Sequence, residues 1–67
     1  MANLGQVLDQ AIQSNDAQRA GAVADVLRFR FGMNYEQILA VVQKRNPGVS
    51  RGEWDDLMAE ADSEEEA

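Results

Sequence analysis

Carboxylates are the side chains of this sequence with the clearest capacity for chemistry. The 67 residues include 12 acidic and 6 basic side chains, which give a formal net charge of −6, and they include no histidine and no cysteine. The absence of both residue types removes the commonest soft metal ligands and the usual proton shuttle at neutral pH. The carboxylates could act as acids or bases, as ligands of a hard cation, or as a charged surface.

Most of the acidic residues follow Gly52, and no basic residue interrupts them. They are Glu53, Asp55, Asp56, Glu60, Asp62, Glu64, Glu65 and Glu66. Their spacing does not match a calcium-binding loop, and so short a chain has little scope for a desolvated cleft that would tune the pKa of a carboxylate.

Clustered acids do speed association with a surface of opposite charge. We therefore predict a non-enzymatic interaction module, with no metal and no cofactor. It would act as a small inhibitor or adaptor that covers a basic surface on a partner protein. The same acids could instead form a solubilising tail or fold back onto the chain's own basic residues.

The basic residues all lie between positions 19 and 51, and they support a second interpretation. A helix-turn-helix DNA-binding protein would need such side chains for phosphate contacts. The candidates are Arg28, Arg30, Lys44, Arg45 and Arg51. The acids after Gly52 would repel phosphates from the neighbouring surface, so nucleic acid is the less favoured partner.

Phe29 supports a third interpretation, because it lies on an apolar stripe with Ala22 and Val26 that is separate from the main stripe of its helix. This stripe is either a second core face or an exposed contact. If it is exposed, Phe29 would contact a partner protein or a second copy of the chain. The protein would then be a structural subunit of a larger assembly or a homo-oligomer.

The elements that position these residues are predicted to be helices. Apolar residues recur at the i, i+3, i+4, i+7 spacing of an amphipathic helix. The predicted fold is all-α, a small bundle of four short helices at about 4–13, 16–31, 35–45 and 51–61. Asn3, Asn15, Asn34 and Ser50 are predicted N-caps, each with Gln or Glu three residues later as in a capping box. Gly32 is predicted to end the second helix in the left-handed conformation.

The second helix has small residues where a neighbouring helix could approach closely, among them Gly21. Two apolar faces on this helix predict that it lies at the centre of the bundle. The residues expected in the core are Leu4, Val7, Leu8, Ala11, Ile12, Val23, Leu27, Phe31, Ile38, Leu39, Val42, Val49, Trp54, Leu57 and Met58. We expect a single domain over 1–61, followed by a disordered acidic tail over 62–67.

The chain is expected to be soluble and cytoplasmic. Its first residues, MANLGQVLDQ, lack the basic region and the apolar core of a signal peptide. No apolar run approaches the roughly 20 residues that span a bilayer. No membrane partner is predicted.

Residues 18–58 resemble the helical half of a winged-helix repressor of the ferric-uptake-regulator type. The matching text is QRAGAVADVL, followed by MNYEQILAVVQKRNPGVSRGEWDDLM. The resemblance implies a helix-turn-helix-like arrangement of helices 2–4, with residues 50–58 at the start of the recognition helix. This sequence departs from the family because that helix carries four acids with Arg51 as its one base. No wing follows, and the family's histidine and cysteine metal ligands do not occur. The resemblance therefore does not imply a repressor.

Overall fold

The computed structural model describes residues 3–66, with side chains as far as residue 63. It contains four α-helices, α1 (Leu4–Gln13), α2 (Ala17–Phe31), α3 (Tyr35–Arg45) and α4 (Arg51–Glu66). No strand occurs within residues 3–66, so the predicted all-α bundle is confirmed. The molecule measures 30 × 26 × 26 Å along its principal axes. Whether helices 2–4 form a helix-turn-helix remains a prediction.

Two helices begin with the capping boxes that the sequence predicts. At α1, the backbone N–H of Gln6 donates to the Asn3 side chain at 2.8 Å, and the Gln6 side chain accepts from the Asn3 backbone at 3.3 Å. Asn34 and Gln37 repeat this arrangement at α3. These reciprocal bonds satisfy backbone donors that the first turn of a helix leaves without partners.

The start of α2 differs from the prediction. The N-cap is Asp16 and not Asn15, because the Asp16 carboxylate accepts the backbone N–H of Arg19 at 3.1 Å. Asn15 instead forms the turn after α1 with a left-handed φ of 54°. Asparagine tolerates this conformation better than most residues. The other end of α2 agrees with the prediction, because Gly32 is left-handed at φ 67°.

The core lies around α2, as predicted, with α1, α3 and α4 packed against it. Small residues on α2 let α4 approach so closely that a Cβ added to Gly21 would lie 2.8 Å from the Ala61 Cβ. The residues that are buried are Leu8, Ala11, Ala17, Ala20, Val23, Ala24, Ile38, Leu39, Val42, Trp54, Leu57 and Ala61. Most of the other expected core residues are half-buried at its edge.

Two expected core residues are exposed, namely Phe31 at 64% and Leu4 at 36%. Phe31 continues the stripe of α2 one turn beyond Leu27, but it is the last residue of the helix and the chain turns away at Gly32. Periodicity identifies the face of a helix on which a residue lies, and it does not show whether another element covers that face. Phe29 is 73% exposed, so it does not form a second core face, and its role as a contact for a partner stays a prediction.

Helix α4 ends at Glu66, five residues beyond the predicted end at position 61. Residues 62–66 of the predicted disordered tail are therefore helical, while Ala67 lies outside the described residues. No glycine or proline follows Gly52, and alanine and glutamate have high helix propensity, so the helix has no local reason to stop.

Candidate functional site: an acidic groove beside α4

The acidic side chains of α4 lie on two flanks of the helix. Trp54, Leu57 and Ala61 form its buried face. At 3.6 residues per turn, residues 53, 56 and 60 lie on one side of this face, and residues 55 and 62 lie on the other. All five carboxylates are exposed. The predicted acidic surface is thus divided into two parts, and the side chains of residues 64–66 lie outside the description.

The first flank borders a groove with a volume of about 290 Å³. Its acidic wall is formed by Glu53, Asp56 and Glu60 of α4. The remaining lining comes from α1, the turn that follows it, the loop before α4, and α4 itself. These residues are Ile12, Asn15, Val49 and Leu57. We call this site the acidic groove.

The carboxylates of the acidic groove form no ion pair with any side chain described for this chain. The ion pairs within residues 3–63 join Arg19 to Asp16, Arg45 to Asp9 and Arg51 to Glu36. The three arginines are therefore paired with acids that precede α4. The groove consequently presents negative charge to solvent, and the sequence had left open that the chain's own bases would neutralise it.

Glu53 has a structural contact as well. Its backbone N–H donates to the Ser50 hydroxyl oxygen at 3.2 Å, and that hydroxyl lies 3.3 Å from the Glu53 carboxylate. The predicted capping box is therefore formed in part, because the carboxylate meets the Ser50 side chain and not the Ser50 backbone N–H. Asp56 and Glu60 have no such contact, so they are the carboxylates of the groove most available to a ligand.

The second flank of α4 is connected to α3. The Tyr35 hydroxyl donates a hydrogen bond to the Asp55 carboxylate. Burial and this hydrogen bond raise the pKa of Tyr35 to about 12. Next to it, Arg51 forms an ion pair with Glu36, which raises the pKa of the guanidinium. The part of this flank around Asp55 is thus occupied by contacts within the protein.

A second polar cluster fastens α1 to the end of α3. The Arg45 guanidinium donates two hydrogen bonds to the Asp9 carboxylate, at 3.1 and 3.0 Å, and the Asn46 amide donates a third at 3.0 Å. The Arg45 bond contributes most to lowering the pKa of Asp9. The guanidinium lies over Gly5, where an added Cβ would come within 2.4 Å of its central carbon. Arg45 therefore has a structural role here.

The basic residues proposed for nucleic-acid contact do not form one surface of available charge. Arg45 and Arg51 are engaged by Asp9 and Glu36. Arg28 and Arg30 lie at the end of α2, and Lys44 lies at the end of α3. Among residues 3–63, no ion pair engages these three exposed bases.

The groove combines two features that a long basic side chain requires. Its carboxylates can accept charge-assisted hydrogen bonds from a guanidinium or ammonium group. Its apolar residues can contact the aliphatic stem of the same side chain. Sequence reasoning identified the acids of the groove but missed its apolar lining, since Ile12 and Val49 were expected in the core. Both are half-buried, and their periodicity carried no signal of a groove.

Within the described range, no group of three or more acidic, histidine or cysteine side chains is placed to hold a metal ion. The same range includes no helix with the length and apolar composition needed to cross a bilayer.

Comparisons with protein-family models, curated proteins and solved structures find no match to this chain. The resemblance to ferric-uptake regulators therefore receives no support from them.

Proposed function

We propose that this protein is a non-enzymatic interaction module that binds a basic segment of a partner protein in its acidic groove. The observation that carries the proposal is the pattern of ion pairs among the described side chains. Arg19, Arg45 and Arg51 are paired with acids that precede α4, while the groove carboxylates have no basic partner among the described side chains. A charged wall beside apolar residues favours arginine or lysine as the ligand.

The electrostatic arrangement suits a protein that covers a partner's surface. A concentrated negative charge attracts a basic surface over a distance of about one Debye length, roughly 8 Å at physiological salt. This attraction increases the association rate and excludes acidic surfaces. A small inhibitor or adaptor would act in this way. We place it in the cytoplasm as part of the same proposal, because a chain without cysteine has no need of an oxidising compartment.

The test is binding of a fluorescein-labelled hexa-arginine peptide, followed by fluorescence anisotropy. The groove variant is Asp56→Asn with Glu60→Gln, which preserves size and removes two charges. Each exposed ion pair contributes about 0.2–1 kcal/mol, so the variant should bind about two- to thirtyfold more weakly. Raising the salt concentration should weaken binding by the wild-type protein.

A matched control separates the groove from the net charge. Asp25→Asn with Asp62→Asn makes the same change in net charge at exposed acids outside the groove lining. Because these charges lie outside the contact and are screened, we expect the control to lose about twofold or less. An equal loss of affinity in both variants would show that the peptide responds only to net charge, and it would contradict the proposal.

A further inference from the structure

The end of α2 carries a second surface that the described residues leave exposed. Phe29 is 73% exposed and Phe31 is 64% exposed. Arg28 and Arg30 alternate with them, and the Arg28 guanidinium carbon lies 5.2 Å from the centre of the Phe29 ring. Exposed aromatic residues and arginine are the types most enriched in the centres of protein interfaces. We call residues 28–31 the arginine–phenylalanine end.

The Asn15 side of the acidic groove lies at the other end of α2 from this surface. Asn15, in the groove lining, precedes the first residue of α2, whereas residues 28–31 form its last turn. At a rise of 1.5 Å per residue, the two positions are about 20 Å apart. Glu60 lies nearer than Asn15 does, because it precedes Ala61, which packs against Gly21 of α2. Within residues 3–63, however, no ion pair joins Arg28 or Arg30 to a groove carboxylate of the same molecule.

We propose that the arginine–phenylalanine end of one molecule docks in the acidic groove of a second copy. The inference rests on the proposed function, because it names one basic segment that the groove accepts. The charges are complementary. Arg28 and Arg30 flank Phe29 on its two sides in the last turn of α2, and their guanidinium groups would bind the carboxylates of Asp56 and Glu60. Phe29 and the arginine stems would contact the apolar part of the lining.

The contact joins two different surfaces, so it is heterologous. Each docked molecule still presents one free end and one free groove, and such contacts continue into open chains unless the rotation closes a ring. The net charge of −6 per molecule opposes association. At about 0.15 M salt this long-range repulsion is screened beyond roughly 8 Å, while pairs in direct contact persist. We therefore expect concentration-dependent association beyond the dimer, and its loss at about 1 M salt.

The test uses sedimentation velocity on the full chain with two variants, each lacking one surface. Arg28→Gln with Arg30→Gln removes the charges of the end, and Asp56→Asn with Glu60→Gln removes charges of the groove. These are exposed side chains, so folding should be retained, and far-ultraviolet circular dichroism checks this. Each variant alone should stay monomeric at concentrations where the wild-type protein associates. An equimolar mixture should form a one-to-one dimer and nothing larger, because each variant supplies the surface that the other lacks.

The control variant is Lys44→Gln, which removes an exposed base elsewhere on the molecule and should associate as the wild-type protein does. Three results would each overturn the inference: a wild-type protein that stays monomeric at all concentrations, association that persists in both surface variants, or a mixture that does not dimerise. Failure here is distinguishable from failure of the proposed function. If hexa-arginine binds the wild-type groove and the chain stays monomeric, only this inference falls.

Discussion

Replacing Gly21 with alanine tests the close approach of α2 and α4 on which the core depends. The change adds one methyl group in the middle of α2. By helix propensity alone, alanine is more stable than glycine by about 0.8–1 kcal/mol. The added Cβ would, however, lie 2.8 Å from the Ala61 Cβ. Carbon atoms in favourable contact are about 3.5–4.0 Å apart, so one helix must move by roughly 1 Å.

The two effects have opposite signs, and packing should dominate. An extra methylene in a well-packed core costs about 1–3 kcal/mol. After the gain in propensity is subtracted, we expect Gly21→Ala to lower the free energy of unfolding by up to about 2 kcal/mol. For a domain of this size, 1 kcal/mol corresponds to about 4–8 °C in Tm. Urea unfolding followed by circular dichroism measures the change directly.

Gly52 provides the matched control, because a Cβ there would meet only the Ser50 hydroxyl oxygen, at 3.9 Å. Gly52→Ala in the first turn of α4 should leave stability unchanged or raise it by less than about 1 kcal/mol. The double variant Gly21→Ala with Ala61→Gly moves the methyl group from one helix to the other. It should recover most of the lost stability, with a favourable coupling of about 0.5–3 kcal/mol.

Either of two results would refute the reasoning. If Gly21→Ala is as stabilising as Gly52→Ala, then α2 and α4 are not in close contact at this point. If the effects of Gly21→Ala and Ala61→Gly simply add, the loss of stability has another origin. Either outcome would remove the evidence for a close approach of α2 and α4 at Gly21.

Two further predictions concern titrating groups. The pKa of Asp9 is lowered in the folded state, so its contact with Arg45 stabilises the fold above the unfolded-state pKa of about 3.9 and is lost as the pH falls through the folded-state value. Asp9→Asn should therefore destabilise the protein at pH 7, and it should reduce the further loss of stability as the pH falls through this range. If the variant loses as much stability on acidification as the wild-type protein does, Asp9 is not the source of that loss. Tyr35 is the one tyrosine, so its phenolate absorbance should report a pKa of about 12 in the wild-type protein. Asp55→Ala should lower that pKa towards 10 without reaching it, because burial remains; a pKa that does not change would mean that the hydrogen bond to Asp55 has no effect.

Most of the helical fold could be predicted from the sequence, because its determinants act within one or two turns. A cap such as Asn3 or Asn34 bonds to the residue three positions later, and Gly32 adopts a left-handed conformation that its own lack of a side chain permits. One error arose where two local choices compete. Asn15 and Asp16 are adjacent cap formers, and only the path of the turn after α1 decided that Asp16 has this role.

The candidate site was predictable only in its composition. The sequence alone shows that the acids are concentrated after Gly52 and that some repeat at helical spacing. It does not show that Val49 and Ile12 complete a groove, since both have the spacing of core residues. It also does not show that Arg51 contacts Glu36, fifteen positions away.

The sequence by itself thus determined the four helices, the N-caps of α1 and α3, and the sign of the charge on α4. The tertiary structure decided which charges are neutralised and which apolar residues are covered. Exposure of Phe29 and the absence of a basic partner for the described groove carboxylates both depend on contacts between helices. Such contacts are set by packing geometry over many residues, and no local pattern in the chain encodes them.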